Sequence, residues 1–466
     1  MAFKHYVYYR LNDILFTIYR KEECFTAGSN ANSSYFMSIL KSMENHHLTI
    51  KNSLPLIASE NVPSPAVREA MATDFGNRYA EGWVGERVYA GCKYLDEVES
   101  IAIELGKKLF HGEFVDVRPI SGVLANLTAF SVFTNPGDVL VSCTIPTGGH
   151  ISHSKEKLGG TAGAIRKLDV HNYPFDEEEF SIDIDNTAKM VKELEHNGKP
   201  PKAFILGASV FLFPHPVKEI VEIAKDYDAK VIYDAAHVAG LIAGGIFQDP
   251  INDGVDAMTM STHKTLAGPQ HGTIISWNKY AEPIKRAVFP GLSSNHHLHA
   301  VAGVAIAFAE AIEFYHEYAK DIVTNSKALA QALYERGINV LYEKKGFTES
   351  HMMIIDVTKY GNGFEIEKKL EKANIIVNRN LLPYDIRMGR DYKAPGGIRV
   401  GTQELTHLGM KKSEMIEVAE LMKRIIVDNE DPLKVASDVA ELKRNYQKVK
   451  YCFTSDKDAY EYIKIR

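Results

Sequence analysis

The chain has 466 residues, 45% of them hydrophobic and 24% charged, an ordinary globular composition with enough length for two or three domains. Its formal net charge of −6 offers no concentrated basic face of the kind that nucleic acid or an anionic membrane would require, so small molecules are the expected partners. The four cysteines, Cys24, Cys92, Cys143 and Cys452, are scattered without a C-x-x-C pair or neighbouring histidines at ligand spacing, which suits a reducing, cytoplasmic setting and predicts no metal centre.

In chain order, the opening "MAFKHYVYYRLNDILFTIYRKEECF" carries Arg10 and Asp13 where a secretion signal needs an uninterrupted apolar core. Met37 and Met43 stand just before the first persuasive motif. Residues 1–36 are therefore expected to be an extension from an early start codon, followed by an arm over residues 37–65. After Ser53 helical patterns alternate with short strand candidates: "DVRPI" at Asp116, "DVLVSC" at Asp138, "KAFILGAS" at Lys202, "AKVIYDAAH" at Ala229, "AMTMSTHK" at Ala257 and "GTIISW" at Gly272. Such spacing predicts an α/β large domain over 66–324, its mostly parallel sheet covered by helices on both faces. The stretch "AVAGVAIAFAEAIEF" from Ala300 is too short and too soon charged to cross a bilayer, and reads as a packed helix. From about Asn325 the pattern changes to "INVLYE", "HMMIIDVT", a helix at "GFEIEKKLEKA", "IIVN", "GIRVG" and a terminal helical run, a smaller α+β domain over 325–466.

No G-x-G-x-x-G follows a strand and no G-x-x-x-x-G-K-[ST] occurs, so both common nucleotide fingerprints are missing. In "PISGVLANLTAF", Ser121 and Gly122 lie between a strand and a helix, where small residues and the helix dipole can cradle a phosphate; an ordinary serine N-cap fits equally well. Asp234 ends the apolar run "VIYD", and Lys264 follows another some thirty residues later, the span of one strand-crossover-strand unit. That places carboxylate and amine at one carboxyl edge of a sheet, where ligands of such folds bind. A lysine that forms an imine with an aldehyde, an aspartate that keeps a pyridine nitrogen protonated and a phosphate cradle are together what pyridoxal phosphate needs.

The motifs "LPLIASEN" (54–61), "NRYAEG" (77–82), "ERVYAGCKYLDEVE" (86–99), "GGHISH" (148–153), "YDAAHVAGL" (233–241), "STHKTLAGP" (261–269) and "GIRVGT" (397–402) resemble serine hydroxymethyltransferase, a family of fold type I pyridoxal-phosphate enzymes. The similarity runs from Ser53 to Glu430, and "GASVFLFP" and the "NLLPYDIRMGRDYKAPGGIR" segment resemble the archaeal branch. The resemblance implies a cytoplasmic homodimer that interconverts serine and glycine and passes the one-carbon unit to a reduced pterin, tetrahydrofolate or tetrahydromethanopterin.

It also implies roles for individual residues. Lys264 would hold the cofactor covalently, with His263 beside it bearing on reaction specificity. Asp234 would pair with the pyridine nitrogen, His150 would stack on the ring, and His237 and Ser209 would bracket the ring oxygen. Ser121, Gly122 and the partner-facing Gly291 would serve the phosphate. Arg399 would grip the amino-acid carboxylate with help from Ser59, a task suited to a bidentate guanidinium. Glu81, the acid/base group, and Tyr89 would arrive from the partner subunit, and Ile145, Gly149, His150, Ile151 and Asn380 would face the pterin.

Three places depart from the family pattern. Val123 and Leu124 stand where many members have Ser and Gln, "LSSN" replaces glycines after Gly291, and Val88 replaces a tyrosine near the pterin. The cluster His296, His297 and His299 lacks a fourth metal ligand and is expected to be solvated or at an interface. Two rivals share some of these features: a pterin-independent aldolase, which needs Lys264, Asp234 and Arg399 but no carrier site, and a catalytically silent scaffold.

Overall fold

Continuous apolar runs such as "KAFIL" and "KVIYD" can be buried on both faces only inside a covered sheet, and the computed structural model, which describes residues 31–462, places them there. The expectation for residues 1–30 lies outside the described residues. Helix α1 (Ala31–Lys51) runs unbroken across residues 36 and 37, and the described residues up to Ile50 form a unit distinct from those that begin at Lys51.

The second unit carries a seven-stranded sheet made of β1 (Phe114–Asp116), β2 (Val139–Ser142), β3 (Asp169–Asn172), β4 (Pro201–Leu206), β5 (Lys230–Asp234), β6 (Ala257–Ser261) and β7 (Gly272–Ser276). Their spatial order is β1-β7-β6-β5-β4-β2-β3. All neighbours are parallel except β7, which runs antiparallel to both β6 and β1. Only the ten residues from Thr262 to His271 separate β6 from β7, too few for the crossover that a parallel partner needs. Helix α2 (Lys93–Phe110) precedes β1, α3 (Gly122–Phe133) follows it, and α4 (Val217–Lys225), which the apolar periodicity of "VKEIVEIAKDYD" predicts, lies between β4 and β5.

The apolar stretch from Ala300 corrects the sequence expectation on length. It is the first part of α5 (Leu298–Glu335), a single 38-residue helix. By length and apolarity alone α5 could cross a membrane, but Val301, Val304, Phe308, Ala311, Tyr315 and Ile322 are buried in the protein core. The helix also passes without interruption through residues 324 and 325, the expected domain boundary.

A second sheet of four antiparallel strands, in the order β8-β9-β11-β10, comprises β8 (Asn339–Val340), β9 (Met352–Asp356), β10 (Asn378–Asn380) and β11 (Gly397–Gly401). Its apolar face packs with α6 (Gly363–Lys372) and α7 (Lys412–Ile426) in a separate core cluster containing Met353, Ile355, Ile398 and Val418. The arm that follows α1 is stitched to this part of the molecule: Leu54 pairs in parallel register with Ile375, and the Gly401 amide donates to the Leu56 carbonyl at 2.7 Å. Helix α8 (Pro432–Lys443) precedes a tail whose Lys450 N donates at 2.8 Å to the carbonyl of His407, the last residue of the short helix Gln403–His407 ahead of α7.

Candidate active site

Strands β5 and β6 are parallel neighbours with Asp234 opposite Thr259, so Asp234 and the loop after β6 meet at one carboxyl edge. A cavity of about 210 Å³ opens there, and Ser121, Gly122, Asp234, His237 and Lys264 all contribute to its wall. His150, Ser209 and His263 line it as well.

Asp234 is held from three directions. The Ala236 amide donates to Oδ1 at 3.0 Å, while Asn126 Nδ2 and His153 Nε2 approach Oδ2 at 2.8 and 3.0 Å. Thr259 donates to Asn126 Oδ1 at 2.6 Å, which fixes the amide with its NH₂ toward the carboxylate. Burial by itself would raise the pKa of Asp234, but the contacts with His153, His150 and Asn126 outweigh it and hold the carboxyl well below the usual range. A fixed anion therefore stands at the cavity wall.

Lys264 lies three residues beyond β6 and is 9% exposed. The loop that carries it is closed by Gly268 N on the Thr262 carbonyl at 2.7 Å and by the Thr262 hydroxyl on the Pro269 carbonyl at 2.6 Å. Its Nζ donates to Ser261 Oγ at 3.2 Å. Desolvation lowers the amine to about 8, against the opposing pull of Asp234 and with a further lowering from Arg399. About one amine in ten is then unprotonated at pH 7, far more than for an ordinary lysine. Covalent capture of a small aldehyde at Lys264, trapped with borohydride and read by peptide mass spectrometry, should accordingly rise with pH and level off above about pH 8. A profile still climbing steeply past pH 9 would contradict a depressed amine.

The histidines of the cavity are neutral. Burial, with the positive charge of Lys264 second, pushes His263 to about 4, and burial followed by His153 pushes His150 to about 4. His150 Nδ1 sits 2.7 Å from Ser152 Oγ. The donor atoms of His150, His153 and Asp234 lie within 4.8 Å of one another, a grouping whose hydrogen bonds already serve the carboxylate.

At the other side, Ser121 caps α3, its Oγ accepting from Leu124 N at 3.2 Å, so the hydroxyl is an N-cap and stands at a cavity-facing helix start at once. Gly122 is required by space: a Cβ there would fall 2.4 Å from Ser261 Oγ. The first-turn amides of α3 lack intrahelical partners and are suited to an anion.

Arg399, central in β11, is buried. Its Nη1 donates to the Ser209 carbonyl at 2.6 Å, Nε to Asn378 Oδ1 at 3.2 Å, and Nη2 reaches Ser59 Oγ at 3.5 Å. Burial lowers its pKa to about 10, with Glu60 opposing. The guanidinium remains a cation at any working pH.

Not every expected residue joins this cavity within one chain. Glu81 is half-buried and Tyr89 exposed, on a hairpin whose Ala80 and Gly82 carbonyls each accept from Arg87 Nη1 at 2.8 Å. Neither residue, nor Gly291, Ile145, Gly149, Ile151 or Asn380, belongs to the cavity wall. His296 corrects the sequence expectation of a solvated or interface group: it is 3% exposed and its Nε2 lies 2.8 Å from the buried Glu99 carboxylate. Sequence reasoning missed Asn126 and His153. Asn126 follows Gly122 by one helical turn of α3, and His153 follows His150 in "GGHISH", so spacing placed both within reach of the site.

A mostly parallel sheet with helices on both faces, joined to a small antiparallel sheet and presenting lysine and aspartate at one carboxyl edge, is the architecture of the fold type I enzymes. The Serine hydroxymethyltransferase family model matches residues 33–422. The chain is 55% identical over 435 residues to a serine hydroxymethyltransferase of Nitrosopumilus maritimus, covering 93% of this chain and 99% of the relative. It is 54% identical over 440 residues to that of Cenarchaeum symbiosum, with 94% and 100% covered, and 56% identical over 431 residues to that of Korarchaeum cryptofilum, with 91% and 98% covered. The chain belongs to the serine hydroxymethyltransferase family.

Proposed function

We propose that the chain interconverts serine and glycine as a cytoplasmic homodimer with pyridoxal 5′-phosphate in the cavity, passing the one-carbon unit to a reduced pterin. The observation that carries this reading is a depressed-pKa amine and an ionised buried carboxylate facing one cavity beside a helix N-terminus. The residues present fit the cofactor: Asp234 offers an anion to a pyridinium, and the missing Cβ of Gly122 leaves room beside Ser261.

When bound, pyridoxal phosphate supplies an electron sink for cleavage of a bond at the substrate Cα. Lys264 would hold it covalently and Asp234 would accept the pyridinium N–H. His150 would pack on the ring, and Ser209 and His237 would meet the ring oxygen. Ser121, Gly122 and the α3 amides, with the partner's Gly291, would bind the phosphate. Arg399 and Ser59 would orient the amino-acid carboxylate so that the Cα–Cβ bond stands perpendicular to the ring. The partner's Glu81 would take and return the hydroxyl proton of serine, with the partner's Tyr89 beside it, and His263 would bear on reaction specificity. Ile145, Gly149, His150, Ile151 and Asn380 would face the pterin.

The test is the serine-to-glycine rate of the cofactor-loaded protein with tetrahydrofolate and, in parallel, with tetrahydromethanopterin. A rate that depends on one carrier supports the transferase and identifies it. A rate on threonine-like substrates without dependence on either carrier would favour an aldolase. The shared site makes a second expectation: mixing inactive Lys264→Ala and Glu81→Gln proteins should restore roughly a quarter of wild-type activity, because half of randomly assorted dimers carry one intact site. No recovery under conditions where subunits exchange would place Glu81 in its own subunit's site. Gly122→Ala should weaken cofactor binding, measured by equilibrium dialysis, since the added methyl displaces Ser261 Oγ from 2.4 Å.

A further inference from the structure

His351, the residue before β9, is fully buried beside His237, with ring centroids 5.6 Å apart and planes 21° from parallel. Its Nε2 lies 3.1 Å from the carbonyl oxygen of Ala58 and 3.4 Å from His237 Nδ1. Its Nδ1 is buried with no hydrogen-bond partner. No role in the expected chemistry uses this residue.

The proton positions follow from what each atom can do. A carbonyl only accepts, so His351 Nε2 must carry hydrogen. Burial, against a hydrogen bond to Ala58 and with Arg399 and Lys264 disfavouring charge, pushes His351 down to about 3, so the ring is neutral and Nδ1 is bare. Burial, followed by Lys264 and Arg399, also holds His237 well below its ordinary value. A neutral His237 carries one ring hydrogen. Placed on Nδ1, it would point at the N–H of His351, whereas a bare Nδ1 can share that hydrogen with the Ala58 carbonyl. The hydrogen of His237 therefore belongs on Nε2, across the ring from His351.

We propose that His351 is a positioning residue that fixes His237 as its Nε2–H tautomer, so that His237 acts as a hydrogen-bond donor toward the cavity it lines. This rests on the reading above, in which the acceptor is the ring oxygen of pyridoxal phosphate. The Ala58 carbonyl that orients His351 belongs to the residue next to Ser59, so the arm expected to touch the substrate carboxylate also sets the tautomer on the cofactor side.

A joint X-ray and neutron structure of the cofactor-loaded protein tests the assignment directly, with hydrogen expected on Nε2 of both rings. Two variants test its consequence. His351→Leu removes the donor and frees the His237 tautomer. It should loosen cofactor binding by about 3- to 10-fold, the range of one hydrogen bond, and change the pH dependence of the bound cofactor's visible absorbance. His351→Gln, whose amide can still donate to the Ala58 carbonyl, should restore both. Wild-type protein that takes up no pyridoxal phosphate would refute the functional reading itself. Normal uptake together with hydrogen on His237 Nδ1, or with a leucine variant matching wild type in affinity and absorbance, would overturn the role of His351. A glutamine variant as impaired as the leucine one would overturn it too, and if the leucine protein does not fold, the neutron map and the glutamine variant decide.

Discussion

Lys264→Ala should give a folded protein that no longer holds its cofactor covalently and converts serine to glycine roughly 10²- to 10⁴-fold more slowly. Folding should survive because the lysine is an electrostatic cost to the native state: burial has already moved its amine to about 8. Its side-chain hydrogen-bond partner Ser261 lines the cavity and is not stranded in an apolar core when the amine leaves. Pyridoxal phosphate should still enter, held by the carboxylate of Asp234 and the start of α3, so cofactor content by dialysis should fall less than activity. Borohydride reduction followed by peptide mass spectrometry should find no label in the loop after β6. Wild-type turnover, or a label elsewhere in a variant that still works, would remove Lys264 from its assigned place.

Much of this site was legible in the sequence because its main groups stand where strands end. An apolar run that stops at a polar residue marks a carboxyl edge, and Asp234 and Lys264 follow two such runs that proved to be parallel neighbours. Groups whose task is to serve another side chain gave no such signal. Asn126 looks like a polar residue on a helix until Thr259 and Asp234 are seen on either side of its amide. His351 is one histidine in "TESHMMIIDV", and its meaning depends on Ala58, 293 residues away in the chain. Within the histidine cluster only His296 departs from the solvated expectation, for the same reason: Glu99 reads as a surface acid in "DEVE", yet it is fully buried against His296 and Arg87, whereas His297 is exposed. The direction of β7 was readable in principle, since its link to β6 is short, but apolar composition alone does not distinguish parallel from antiparallel. The length of α5 was hidden by its composition, which shifts from alanine-rich to charged near Glu313 without a glycine or proline to end the helix.

Arg399→Ala should abolish use of serine and glycine while leaving cofactor content close to wild type, because the guanidinium is not part of the cavity wall. Removing one partner of a buried, hydrogen-bonded charge pair costs about 2–5 kcal/mol, so KM for serine should rise at least about 30-fold. The loss extends beyond the charge. Ser209 loses this donor to its carbonyl and Asn378 loses this donor to its side-chain oxygen. Arg399→Lys should not rescue, since an ammonium cannot reach Ser209, Asn378 and a carboxylate with one planar fork. A further consequence separates loss of carboxylate binding from general damage. Arg399 is one of the groups that lower the amine of Lys264, so its removal should raise that pKa above about 8. The pH profile of aldehyde capture at Lys264 should then move to higher pH in Arg399→Ala and stay there when salt is added. An unshifted profile with wild-type KM would show that Arg399 senses neither the substrate nor the lysine.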